Sequence, residues 1–83
     1  MGRILVTTAT IKDIKANIII SKFTNNIEFI EDALNWSFYR VTKIIAHGIE
    51  FELKSFSPVS QETYNITTTK SAEEIINGRW YIE

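Results

Sequence analysis

Hydrophobic and polar positions alternate along most of this chain, and the period of alternation changes as the chain proceeds. From residue 3 to residue 23, Val, Ile and Thr dominate on either side of a polar Lys12-Asp13 pair. β-Branched side chains keep their preferred rotamers on a pleated strand, so the pattern predicts a hairpin turning at Lys12-Asp13. That hairpin sets Leu5 opposite Ile20, Thr7 opposite Ile18 and Ala9 opposite Ala16. A second reading starts a helix at Thr10, with Asp13 completing a capping pattern and Ile11, Ile14 and Ile18 on one side. The run Ile18-Ile19-Ile20 favours the strand.

From Asn25 the period lengthens to that of a helix. Asn25 and Glu28 have capping-box spacing, and Ile30, Ala33, Leu34 and Phe38 then recur at i, i+3, i+4 and i+8. The opposite face of this predicted helix carries Glu28, Glu31, Asp32 and Asn35. Acids early in the helix also suit the positive end of its dipole.

After Tyr39 the period drops to two. Strands over 39–45 and 49–56 are expected to join through Ala46-His47-Gly48, with Gly48 supplying a left-handed residue. This register groups Tyr39, Val41 and Ile45 with Ile49, Phe51 and Leu53. A two-residue His47-Gly48 turn pairs Ile44 with Phe51 instead, and a one-residue slip of this kind reverses a strand's faces. Further on, Ser57-Pro58-Val59-Ser60-Gln61 reads as a connection. A strand follows over 63–69, with Tyr64, Ile66 and Thr68 on one side. Ser71 with Glu74 marks a helix start, Gly78 stands where that helix should be capped, and 79–82 reads as a short edge strand.

The expected fold is therefore α+β. One small domain over residues 1–83 is predicted, an antiparallel sheet in the order ββ-α-βββ-α(-β) with one main helix packed on it. A chain of 83 residues is too short to divide its core, and buries only about 60–65% of its unfolded surface.

Composition narrows the chemistry mainly by exclusion. There is no cysteine, hence no disulfide framework, thiolate nucleophile or cysteine metal site. Three glycines, at 2, 48 and 78, make no phosphate-cradling loop. His47 is the single histidine and sits in a predicted turn, while the Ser and Thr residues lack a nucleophile-elbow context. The carboxylate pairs Glu50/Glu52 and Glu73/Glu74 fall on a solvated face or at a helix start, where nothing would split their pKa values. No cofactor, metal or catalytic residue is expected. The longest apolar run, at 18–20, is far short of the roughly 20 residues that span a bilayer, so no membrane partner and a cytoplasmic location are expected.

Net charge is −1, but it is unevenly spread. Residues 1–24 carry Arg3, Lys12, Lys15 and Lys22 against Asp13, whereas residues 25–38 carry Glu28, Glu31 and Asp32 with no cation. Two function classes follow. The first is a small non-catalytic binding protein that inhibits or regulates a partner protein by occlusion, using Glu28, Glu31, Asp32 and Asn35 and free sheet edges. Richness in Ile, Asn and Lys over Ala, Arg, Gly and Pro suggests an AT-rich coding sequence, and associates such a protein with phage or mobile-element accessory functions. The alternative is an RNA- or DNA-binding module using Arg3, Lys12, Lys15 and Lys22 of the first hairpin with aromatics on the sheet. Self-association into a homo-oligomer is compatible with either.

Overall fold

The computed structural model of the protein describes residues 2–24, 36–45 and 49–83. Its strands are β1 (Ile4–Leu5), β2 (Ile19–Phe23), β3 (Trp36–Ile45), β4 (Glu50–Ser57), β5 (Glu62–Ser71) and β6 (Trp80–Ile82), with helix α1 (Ala72–Asn77) between β5 and β6. They form one sheet in the spatial order β1-β6-β2-β3-β4-β5. Every neighbouring pair is antiparallel.

The core lies on one face of this sheet. Ile20, Tyr39, Val41, Phe51, Leu53, Trp80 and Ile82 point to it, as their cross-strand partners require. Ile75 of α1 covers them, together with Val6 and Ile14 from the chain between β1 and β2. Ile75 is completely buried, which contributes about 1.5–3 kcal/mol relative to an exposed side chain. Ser71 caps α1, with the Glu74 amide donating to its hydroxyl at 3.2 Å. The Gly78 amide donates to the Glu74 carbonyl at 2.9 Å and closes the helix at the expected position.

The expected N-terminal hairpin does not form. β1 pairs with β6, and β2 pairs with β3 and β6, so β6 lies between the two predicted partners. Local hydrogen bonds explain the departure. The Thr7 amide donates to the Thr10 hydroxyl at 2.7 Å, and that hydroxyl lies 3.1 Å from the Leu5 carbonyl. Hydroxyl bonds of this kind give the backbone an alternative to a ladder. The chain then makes a 3-10 turn at Ile11–Asp13, a fragment of the helix that was the second reading. Ile14, the extended residue that follows the turn, is buried in the core.

The 79–82 segment is a strand as expected, but an interior one; β1 holds the edge. The main helix predicted from Asn25 does not extend through Phe38, because Trp36, Ser37 and Phe38 already belong to β3 and pair with β2. Residues 25–35 and the His47-Gly48 turn lie outside the described residues. Six strands and the one short helix of the described residues make a sheet-dominated domain, with a strand order different from the expected one.

The two registers considered for β3 and β4 are both present, on either side of a bulge. Val41 pairs with Leu53 and Tyr39 with Ser55, as a three-residue connection predicts. Ile44 pairs with Phe51 and Ile45 with Glu50, as a two-residue turn predicts. Thr42 is the extra residue between them, and its hydroxyl lies 2.9 Å from the Glu52 carboxylate. The bulge keeps both Val41 and Ile44 on the side of Leu53 and Phe51, which a regular strand could not do.

Candidate partner-docking surfaces

β5 is ten residues long and, among the described residues, pairs on one side only, with β4. Its sequence, Glu62-Thr-Tyr-Asn-Ile-Thr-Thr-Thr-Lys-Ser71, is strongly β-favouring, and it carries charge only at Glu62 and Lys70. Glu62 through Thr67 and Thr69 are exposed. An edge of this length presents a row of backbone donors and acceptors that proteins usually interrupt with proline, short strands or interior charges. β5 has no proline, and no charge between Glu62 and Lys70. It does have a bulge, since Lys54 pairs with Thr67 and Phe56 with Thr63, leaving Tyr64, Asn65 and Ile66 opposite Ser55 alone. The opposite edge, β1, has only two residues.

Apolar side chains gather beside this edge. Ile66 is 63% exposed, Tyr64 45% and Val59 87%. Tyr64, Pro58 and Val59 border a groove of about 380 Å³ whose other walls include Tyr39 and Ser55. The alternation placing Tyr64, Ile66 and Thr68 on one side was legible in the sequence. That their strand is an edge was not, because edge position is a property of the whole sheet.

A second surface occupies the sheet face away from the core. Phe23, Trp36, Phe38, Phe56 and Tyr81 lie there by register. Phe23 and Tyr81 meet Trp36 edge-on, with centroids 5.3 and 5.5 Å away. The Arg3 guanidinium carbon stands 4.1 Å from the Trp36 centroid, and that of Arg40 stands 5.1 Å from Phe56. Arg40 is fixed further by Thr63 Oγ1 at 2.9 Å and by the Asn17 carbonyl at 3.0 Å. Anions share this face. Glu83 binds Arg3 Nε at 2.7 Å and accepts from the Ser21 hydroxyl, and Glu50 and Glu52 project to the same side from β4.

The four cations named from the sequence do not gather on one surface. Arg3 stacks on Trp36, whereas Lys22 projects from the core face, its Nζ 5.7 Å from the Trp80 ring. Lys12 and Lys15 are exposed in and after the 3-10 turn. Glu28, Glu31, Asp32 and Asn35 lie outside the described residues. Of the aromatics, Phe51 and Trp80 are in the core, while Phe56 is buried against Arg40 on the other face and Trp36 and Phe38 lie on that face too. Among the described residues no three His, Cys, Asp or Glu side chains are grouped to hold a metal ion, and no helix is long and apolar enough to cross a membrane.

Compared with protein families, with curated proteins and with solved structures, the chain finds no match.

Proposed function

We propose that this chain is a non-catalytic binding protein that takes an extended segment of a protein partner as an added strand along β5. The observation that supports this most directly is the ten-residue open edge with Tyr64 and Ile66 exposed beside it. In strand addition the main-chain bonds supply affinity and alternate side chains supply specificity. The groove next to Tyr64 is placed to receive one such side chain. Holding a partner's strand blocks whatever that strand otherwise does, so occlusion needs no reactive group. The acidic set Glu28, Glu31, Asp32 and Asn35 belongs to the same proposal as a steering surface, and Glu31→Lys with Asp32→Lys should slow association more than it speeds dissociation.

The test is capture from the native host with tagged protein, with and without nuclease. Wild type should retain a protein that Tyr64→Lys with Ile66→Lys loses at least about tenfold, for the cost of hot-spot truncation. Equal capture by the double variant would remove β5 from the binding surface.

Arg3 over Trp36 and Arg40 over Phe56 favour a second reading, single-stranded nucleic acid stacked on the aromatic face. Capture would then vanish with nuclease and with Trp36→Ala. The cations on that face, Arg3, Arg40, Lys43 and Lys54, neutralise at most about four phosphates, so log affinity for a single strand should fall against log salt with a slope no steeper than about −3.

A further inference from the structure

We propose that, in the free protein, the β5 edge is closed by β5 of a second copy, forming a two-fold dimer with one continuous sheet. The proposal rests on the strand-addition reading and names the first occupant of that edge. A partner strand would then bind by exchange with the second copy.

The pattern of β5 is self-complementary. Two antiparallel copies related by a two-fold axis perpendicular to the sheet bring residues of the same face opposite one another. With Ile66 facing Ile66 of the second copy, Glu62 faces Lys70 at both ends and Tyr64 faces Thr68. Oppositely charged cross-strand pairs stabilise, and here each occurs twice. Moving the axis to Asn65 puts Glu62 against Thr68, and moving it to Thr67 puts Lys70 against Tyr64, so either shift leaves both charges unmatched. A one-residue slip matches core-side to outer-side residues and is excluded by the pleat. The axis through Ile66 is thus specified by the sequence of the strand.

Three structural observations bear on it. The exposed apolar side chain of Ile66 lies on the axis, where it would meet its own copy, and that of Tyr64 lies two residues away, facing Thr68. Lys70 Nζ also lies 3.6 Å from Oε2 of Glu74 in its own chain, an exposed pair that Glu62 of the second copy would share. The bulge at Tyr64, Asn65 and Ile66 ends at the axis, and the two-fold pairs 62–65 of one copy with 67–70 of the other on either side of Ile66. A paired edge also resolves the hazard of an open one.

The experiment is sedimentation velocity over about 1 μM to about 1 mM, where small interfaces equilibrate. Wild type should move from one 9.6 kDa chain towards two as concentration rises. Glu62→Lys sets like charges opposite one another twice and should weaken the dimer at least about tenfold. Lys70→Glu should do the same, and the two together should recover association to within about threefold of wild type. Ile66→Lys, with two ammonium groups on the axis, should abolish it. Circular dichroism melting confirms that each variant is folded. A single chain mass throughout overturns the proposal, as does a dimer indifferent to Ile66→Lys or a charge swap that fails to restore. A monomer that still captures a foreign protein through β5 overturns the dimer alone; a monomer that captures nothing overturns the strand-addition reading with it.

Discussion

The amide of Ala72 donates to the carbonyl of Ile49 at 2.9 Å, so the first residue of α1 is tied to the residue that leads into β4. Ile49 holds this position with φ of 52°, a left-handed conformation unusual for a β-branched residue. Strain at such positions costs on the order of 1–2 kcal/mol.

Ile49→Asn should therefore stabilise the domain. Asn tolerates the left-handed region, and Ile49 is exposed, so little burial is lost. A gain of about 0.5–1 kcal/mol should raise the melting midpoint by roughly 2–8 °C. A lowered midpoint would show that the Ile49 side chain contributes more than its backbone strain costs.

Gly78 is needed for space rather than for its dihedrals, because its φ is −84°. A Cβ there would lie 2.9 Å from the Glu74 carbonyl oxygen and 2.9 Å from Trp80 Nε1. Gly78→Ala should displace the buried Trp80 ring and destabilise by about 1–3 kcal/mol. Trp80 dominates this environment, so near-ultraviolet circular dichroism and a urea titration should both register the change; an unchanged midpoint would place the ring elsewhere.

Ser21 is fully buried, and its hydroxyl donates to the Glu83 carboxylate, which also binds Arg3. Removing the carboxylate strands a buried hydroxyl, whereas removing the hydroxyl leaves a carboxylate that still has Arg3 and water. Glu83→Ala should therefore cost about 1–3 kcal/mol and Ser21→Ala appreciably less. The double variant should be no worse than Glu83→Ala alone. Additive losses in a double-mutant cycle would mean the two groups do not interact.

Arg40 spans three elements, lying over Phe56 while bonding Thr63 Oγ1 and the Asn17 carbonyl. Arg40→Lys keeps the charge but loses the planar group that stacks and bonds together. Thermal melting should show a loss of about 1 kcal/mol, and Arg40→Met should retain part of the packing over Phe56. Full stability in Arg40→Lys would show that charge alone is sufficient.

Elements specified by neighbouring residues were legible without the fold. The α1 start at Ser71, its end at Gly78 and the alternation in 39–45, 49–56 and 63–69 each depend on residues only a few positions apart. The β3–β4 register was legible only as two alternatives, since neither turn length alone accommodates the Thr42 bulge. The predicted start of β3 at Tyr39 was late by three residues. Apolar spacing through Phe38 fitted a helix, yet Phe38 pairs with Ser21 and Phe56 in the sheet. Cross-strand partners outweighed local periodicity there.

The sequence by itself determined which residues are strand formers, where α1 is capped, and that no cysteine, phosphate loop or evident triad offers chemistry. It also contains the opposed charges of Glu62 and Lys70 that make β5 self-complementary. Only the tertiary structure decided that β6 separates β1 from β2, that Arg3 and Lys22 fall on opposite faces, and that β5 is an open edge. The reason is physical: caps and alternation are satisfied within a few residues. Strand order is settled by the side chains, such as Val6, Ile14, Ile75 and Trp80, that meet only when distant segments close one core.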